Sequence, residues 1–125
     1  MINYNLYQLS FLGDAVFELL VREYLIKKGV IKLNDLQNET LLFVTAKKQA
    51  EFVKHLTDKN YLTVKEIDLI RRGRNIKTHK SPKNCDIITY KHATAFEILI
   101  GYLYLEDKKR LDDLFEIILD YNKRK

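Results

Sequence analysis

Tryptophan is absent, cysteine, proline and methionine occur once each, and glycine occurs only four times in 125 residues. The single Cys85 excludes an internal disulfide and any multi-cysteine metal cluster, which suits a reducing compartment and leaves Cys85 as a small, semi-buried thiol. With few helix breakers and no sustained period-2 alternation, the chain reads as all-α. No apolar window of about 18 residues offers a membrane span. Met1-Ile2-Asn3-Tyr4-Asn5 also lacks the basic-then-apolar plan of a signal peptide. A cytoplasmic protein without membrane association is expected. His55, His79 and His92 share no ligand-like spacing with one another or with Cys85, which argues against zinc, and no glycine-rich phosphate cradle is present.

What is present is a 46% hydrophobic chain of a length that supports one core, hence a single domain over residues 1–125. The apolar spacing predicts a bundle of about six to seven helices. A short lead-in at Tyr4 to Gln8 precedes a first helix from about Leu9 to Lys28, with Phe11, Leu12, Ala15, Leu19, Arg22 and Ile26 marking its turns and Gly29 stopping it. Asn34 or Asp35 can cap a second helix through about Val44. A third pattern, Thr45 to Asn60, repeats Ala46, Ala50, Val53 and Leu56. Thr63-Val64-Lys65-Glu66 is a capping box opening a helix that ends near Gly73. Asn75 to about Asp86 reads as a loop interrupted by Ser81-Pro82. A long apolar helix follows from Ile87 to Leu105. The last, capped near Asp107, aligns Leu111, Leu114, Phe115 and Ile118, and Asn122 to Lys125 should fray.

Two acids stand out against this background. Asp14 interrupts Phe11-Leu12-Gly13-Asp14-Ala15-Val16-Phe17, and Glu97 is the only charged side chain between His92 and Leu105. A carboxylate buried ionised and unpaired costs several kcal/mol, roughly, so each requires a shared cation, a basic partner or a raised pKa. If the two helices pack together, the carboxylates repel unless a divalent ion lies between them. Hard oxygen donors favour Mg²⁺, with Mn²⁺ as a substitute, and that arrangement suits phosphodiester hydrolysis. Pairing with a basic residue or capping by hydrogen bonds is the ordinary alternative. Glu18, one turn beyond Asp14, either faces the same site or pairs with Arg22 at i, i+4.

Charge supplies the second pattern. The chain has 22 Lys and Arg against 17 Asp and Glu, a net charge of +5. The excess is local: Arg71, Arg72, Arg74, Lys77, His79, Lys80 and Lys83 follow one another without an intervening acid. Basic residues favour a helix C-terminus, but this run exceeds what a cap requires. It therefore points to phosphate binding, with Lys91 a further candidate for the same surface.

Phe11-Leu12-Gly13-Asp14-Ala15-Val16 resembles the signature helix of ribonuclease III nuclease domains, and Ala95-Phe96-Glu97-Ile98-Leu99-Ile100-Gly101 resembles their second catalytic helix. Further similarity in Ile70-Arg71-Arg72-Gly73-Arg74-Asn75, Pro82-Lys83-Asn84 and Tyr102-Leu103-Tyr104-Leu105 is closer to the compact Mini-ribonuclease III branch and covers nearly the whole chain. The resemblance implies an all-helical homodimer that cuts double-stranded RNA with Mg²⁺, leaving 5′-phosphate and 3′-hydroxyl ends. For this branch it also implies maturation of precursor 23S ribosomal RNA, with assistance from a ribosomal protein left open. Asp14 and Glu97 then correspond to the catalytic, metal-binding acids, and Arg71, Arg72, Arg74, Lys77, Lys80 and Lys83 to an RNA-binding set.

Ser10, Thr94 and Tyr7 stand where the larger family members carry further acids. The resemblance therefore implies a shell with fewer carboxylates, with Glu18, Ser10 and Thr94 as candidates for supporting positions. No double-stranded-RNA-binding domain is expected after the last helix, so duplex affinity would come from the nuclease domain's own basic loop. The rival readings are a catalytically inactive RNA-binding or ribosome-assembly protein on the same scaffold and a helical protein-interaction module.

Overall fold

A reciprocal capping box opens the first helix. The Gln8 amide donates to Asn5 Oδ1 at 2.8 Å, and the Asn5 amide donates to Gln8 Oε1 at 3.0 Å. This box fuses the expected lead-in with the helix proper, so α1 spans Leu6–Lys28 without a break. The computed structural model describes residues 4–77 and 85–124. It continues with α2 (Leu33–Val44), α3 (Ala46–Asp58), α4 (Val64–Arg74), α5 (Ile87–Glu106) and α6 (Lys108–Lys123). Among the described residues there is no strand.

The punctuation is mostly as the sequence predicts. Gly29 takes a left-handed φ of +103° to end α1. The Thr63–Glu66 box opens α4, and Asp107 caps α6 through the Arg110 amide. Thr45 ends α2 and caps α3 through the Lys48 amide, which resolves the join between those helices. Two boundaries differ from expectation. α2 starts from Lys32 without a side-chain cap, two or three residues ahead of where Asn34 or Asp35 would have placed it. α6 continues to Lys123 rather than fraying from Asn122, since Asn122 Nδ2 donates to the Leu42 carbonyl at 3.0 Å and holds the end down.

α5 is the central helix, packed by α1 on one side and by α3 and α4 on another. It is apolar on nearly all sides, burying Ala95, Phe96, Ile98, Leu99, Ile100 and Leu103. Phe96 meets Phe17 of α1 edge-to-face at 4.9 Å between centroids, and Phe52 of α3 completes the aromatic centre. α6 closes the bundle with Leu111, Leu114, Phe115 and Ile118, the four residues its periodicity predicts. Arg110 of α6 forks onto buried Glu66 of α4, with contacts of 2.8 and 2.9 Å.

The buried face of α1 is a correction. Leu9, Gly13, Val16, Phe17, Val21 and Leu25 point inward, whereas Phe11 is 85% exposed, and Leu19 and Ile26 are also largely exposed. α1 carries apolar side chains on two faces, so periodicity alone does not decide between them. Gly13 decides it, as the contact with α5 shows.

Candidate active site

The α1–α5 crossing is a contact of backbone on backbone. A Cβ added at Gly13 would run into the Glu97 carbonyl and lie 2.9 Å from the Gly101 nitrogen. One added at Gly101 would run into the Leu9 carbonyl and lie 3.1 Å from the Gly13 nitrogen. Each helix thus supplies a glycine where the other's backbone passes. The residue after Gly13 is Asp14, and Glu97 lies one turn before Gly101, so the same close approach brings the two acids to one place.

Their environments differ. Asp14 is exposed, which corrects the expectation of an acid within a buried run: its side of α1 faces solvent together with Phe11 and Ala15. Glu97 is the inner member. Loss of solvation pushes its carboxyl up to about 8, helped by the nearby charge of Asp14 and by a hydrogen bond between the two acids. The Ser10 hydroxyl donates to Glu97 Oε1 at 3.1 Å and opposes that rise. In this state the pair holds a proton where a cation would relieve the same repulsion. Two converging carboxylates and a hydroxyl, with no sulfur or imidazole joining them among the described residues, form a hard-oxygen donor set that fits Mg²⁺ or Mn²⁺. Among the described residues no group of three or more Asp, Glu, His and Cys converges, so an ion here would complete its shell with water or substrate oxygens.

The other candidates fall elsewhere. Glu18 pairs with Arg22 at 3.0 Å, the alternative to facing Asp14. Thr94 is buried and donates its hydroxyl to the Tyr90 carbonyl at 3.0 Å, so that proton is directed along its own helix rather than to Glu97. Ser10 is the one of the three that reaches the acids. Sequence reasoning marked it as a missing carboxylate, and its bond to a residue 87 positions away became visible only in the fold.

The basic run starts at the C-terminal end of α4. Arg71 bonds Asp68 at 2.6 Å. Arg72, Arg74 and Lys77 are exposed and, among the described residues, have no carboxylate within ion-pair distance. Lys80 and Lys83 lie outside the described residues, as do His79 and Ser81-Pro82. Tyr7, on α1, donates its hydroxyl to the Lys77 carbonyl at 2.9 Å, which links this run to the helix of Asp14. Two surface grooves, about 480 Å³ between α3, α4 and the start of α5 and about 560 Å³ between α1 and α2, include neither Asp14 nor Glu97. No helix of the described residues is long and apolar enough to cross a membrane.

Comparison with known proteins finds clear relatives of the chain. Residues 7–108 match the model of the ribonuclease III domain. The chain is 42% identical over 117 residues to the Mini-ribonuclease 3 of Symbiobacterium thermophilum, covering 93% of this chain and 88% of that protein. It is 50% identical over 101 residues to the Mini-ribonuclease 3 of Brevibacillus brevis, covering 81% and 74%. A crystal structure of a Fusobacterium nucleatum protein superposes with a TM-score of 0.82 at 32% identity, covering 94% of this chain and 93% of the other.

Proposed function

Because the chain belongs to the ribonuclease III family, within its Mini-ribonuclease III branch, we propose that it is a Mg²⁺-dependent homodimeric nuclease that matures precursor 23S ribosomal RNA in the cytoplasm. That it is an endoribonuclease for double-stranded RNA follows from the family itself. The observation that carries the metal dependence is the pairing of Asp14 with a Glu97 whose carboxyl is pushed up to about 8. A binding module has no use for two acids forced together in this way, which disfavours the inactive scaffold.

Asp14 and Glu97 would hold the ion, and the proton that Glu97 retains would leave as the ion enters. Ser10 fixes Glu97 through Oε1 beside Asp14, and the two carboxylates would there hold the ion or its water. When bound, Mg²⁺ supplies Lewis acidity toward water and toward the phosphate oxygens, favouring hydrolysis to 5′-phosphate and 3′-hydroxyl ends. Arg72, Arg74 and Lys77 would hold backbone phosphates beside the acids, reading A-form shape rather than base sequence. Lys80, Lys83 and Lys91 extend this proposed surface, and Arg71 would exchange Asp68 for phosphate.

A second copy of the chain is the proposed cover for Phe11. A phenylalanine 85% exposed on the helix of Asp14 gains about 2 kcal/mol when covered. A two-fold arrangement there would also present two active sites to the two strands of one duplex. Incubating purified protein with perfect RNA duplex, with Mg²⁺ and separately with chelator, tests the reading. Discrete cleavage only with the metal is expected; an intact duplex across neutral to mildly alkaline pH would overturn it.

A further inference from the structure

The hydrogen bond from Tyr7 to Lys77 spans 70 residues of sequence and has no explanation in core packing, because Tyr7 is 60% exposed. Folding gains little from placing a large ring there. Its position on α1 is informative: Tyr7, Ser10 and Asp14 are spaced three and four residues apart and share one side of the helix. A single strip of α1 thus carries the acid, the hydroxyl that fixes Glu97, and a phenol that reaches the basic run.

The other end of the bond needs a tether. α4 ends at Arg74, its C-cap Asn75 has an ordinary right-handed conformation, and the Ile76 amide reaches the Gly73 carbonyl only at 3.5 Å. Ile76 is partly buried against the core. Beyond it, among the described residues, Tyr7 is the side chain that hydrogen-bonds this backbone. Because the phenol grips a carbonyl it does not engage the Lys77 ammonium, which among the described residues has no carboxylate partner.

We infer that Tyr7 is a positioning residue that registers the phosphate-binding end of α4 against the Asp14–Glu97 site. The inference rests on the function proposed above. Without this tether the segment must be ordered each time a duplex binds, which weakens binding. Once RNA is seated, Ser10, Asp14 and Glu97 are unchanged. The effect therefore falls on KM rather than on kcat.

The test compares full-length wild type, Tyr7→Phe and Lys77→Ala on one RNA duplex in Mg²⁺. Tyr7→Phe should raise KM about fivefold, the range for one hydrogen bond, with kcat within about twofold. Its thermal midpoint and salt slope should match wild type, because no phosphate contact is lost. Lys77→Ala keeps the carbonyl and should instead flatten the salt slope by about 0.9. A Tyr7→Phe enzyme with wild-type KM would overturn the inference while leaving the nuclease reading intact. A joint fall in kcat and thermal midpoint would overturn it too, by making Tyr7 structural. A wild-type protein that leaves duplex uncut would overturn both.

Discussion

The α1–α5 crossing and the end of α4 solve opposite problems within one small protein. At the crossing, two helices meet backbone to backbone through Gly13 and Gly101, leaving no room for a methyl group. At the end of α4, Arg72, Arg74 and Lys77 stand in solvent. Metal-assisted chemistry depends on oxygen positions to within a fraction of an ångström, whereas phosphates can be followed by long side chains that adjust. Substitutions at the crossing should therefore act as all or nothing, and those at the basic end by degrees.

The strongest test removes charge at the crossing and leaves its shape. Asp14→Asn should lower kcat about a thousandfold, near 4 kcal/mol of lost electrostatic stabilisation, with duplex binding in Ca²⁺ and the thermal midpoint preserved. Equal losses of binding and turnover would make Asp14 structural. Changing shape and leaving charge comes next. Gly13→Ala should destabilise the fold by about 3 kcal/mol, the upper range for overpacking, as measured by denaturant unfolding. A well-folded Gly13→Ala protein would show that the crossing has slack.

At the other region, Arg72→Ala with Arg74→Ala should weaken duplex binding about tenfold and reduce the salt slope by about 0.9 per lost phosphate contact, leaving kcat at saturating RNA near wild type. An unchanged slope would move the RNA surface elsewhere. The smallest effect comes from Glu97 itself. A carboxyl held at about 8 binds more protons folded than unfolded, so its contribution to stability is complete below the ordinary carboxylate range and is lost as pH rises through about 8. In chelator the thermal midpoint should fall by about 4 °C between about pH 7.3 and pH 9, the shift produced by about 1 kcal/mol in a domain of this size. Mg²⁺ should restore more at the higher pH. A midpoint that rises over that interval would mean that Glu97 is already ionised.

Local chemistry was legible in the sequence where it is written within one turn. The Thr63–Glu66 box, the Asp107 cap and the Gly29 stop are cases in point, and so is the apolar stripe of α6. The isolation of Asp14 and Glu97 in apolar runs also marked two acids that the fold brings together. The orientation of α1 was not legible, because two apolar faces compete and the deciding term is a glycine contact 84 residues away at Glu97. The Asn5–Gln8 box lies ahead of the apolar repeat that begins at Leu9, so periodicity alone splits α1 in two. The contacts of Ser10 and Tyr7 depend on which helices become neighbours, and no local pattern encodes that.

Glu66 illustrates a different kind of constraint. It closes the Thr63 capping box with one carboxylate that Arg110 also grips from α6. Losing either partner alone strands a poorly solvated charge at a cost of roughly 3 kcal/mol, so neither position can drift first. Nor can the two exchange identities, because an arginine at position 66 has no acceptor to offer the Thr63 amide. Descendants of this sequence are therefore held in a two-site trap, escaped only by a paired replacement that also supplies a new start for α4.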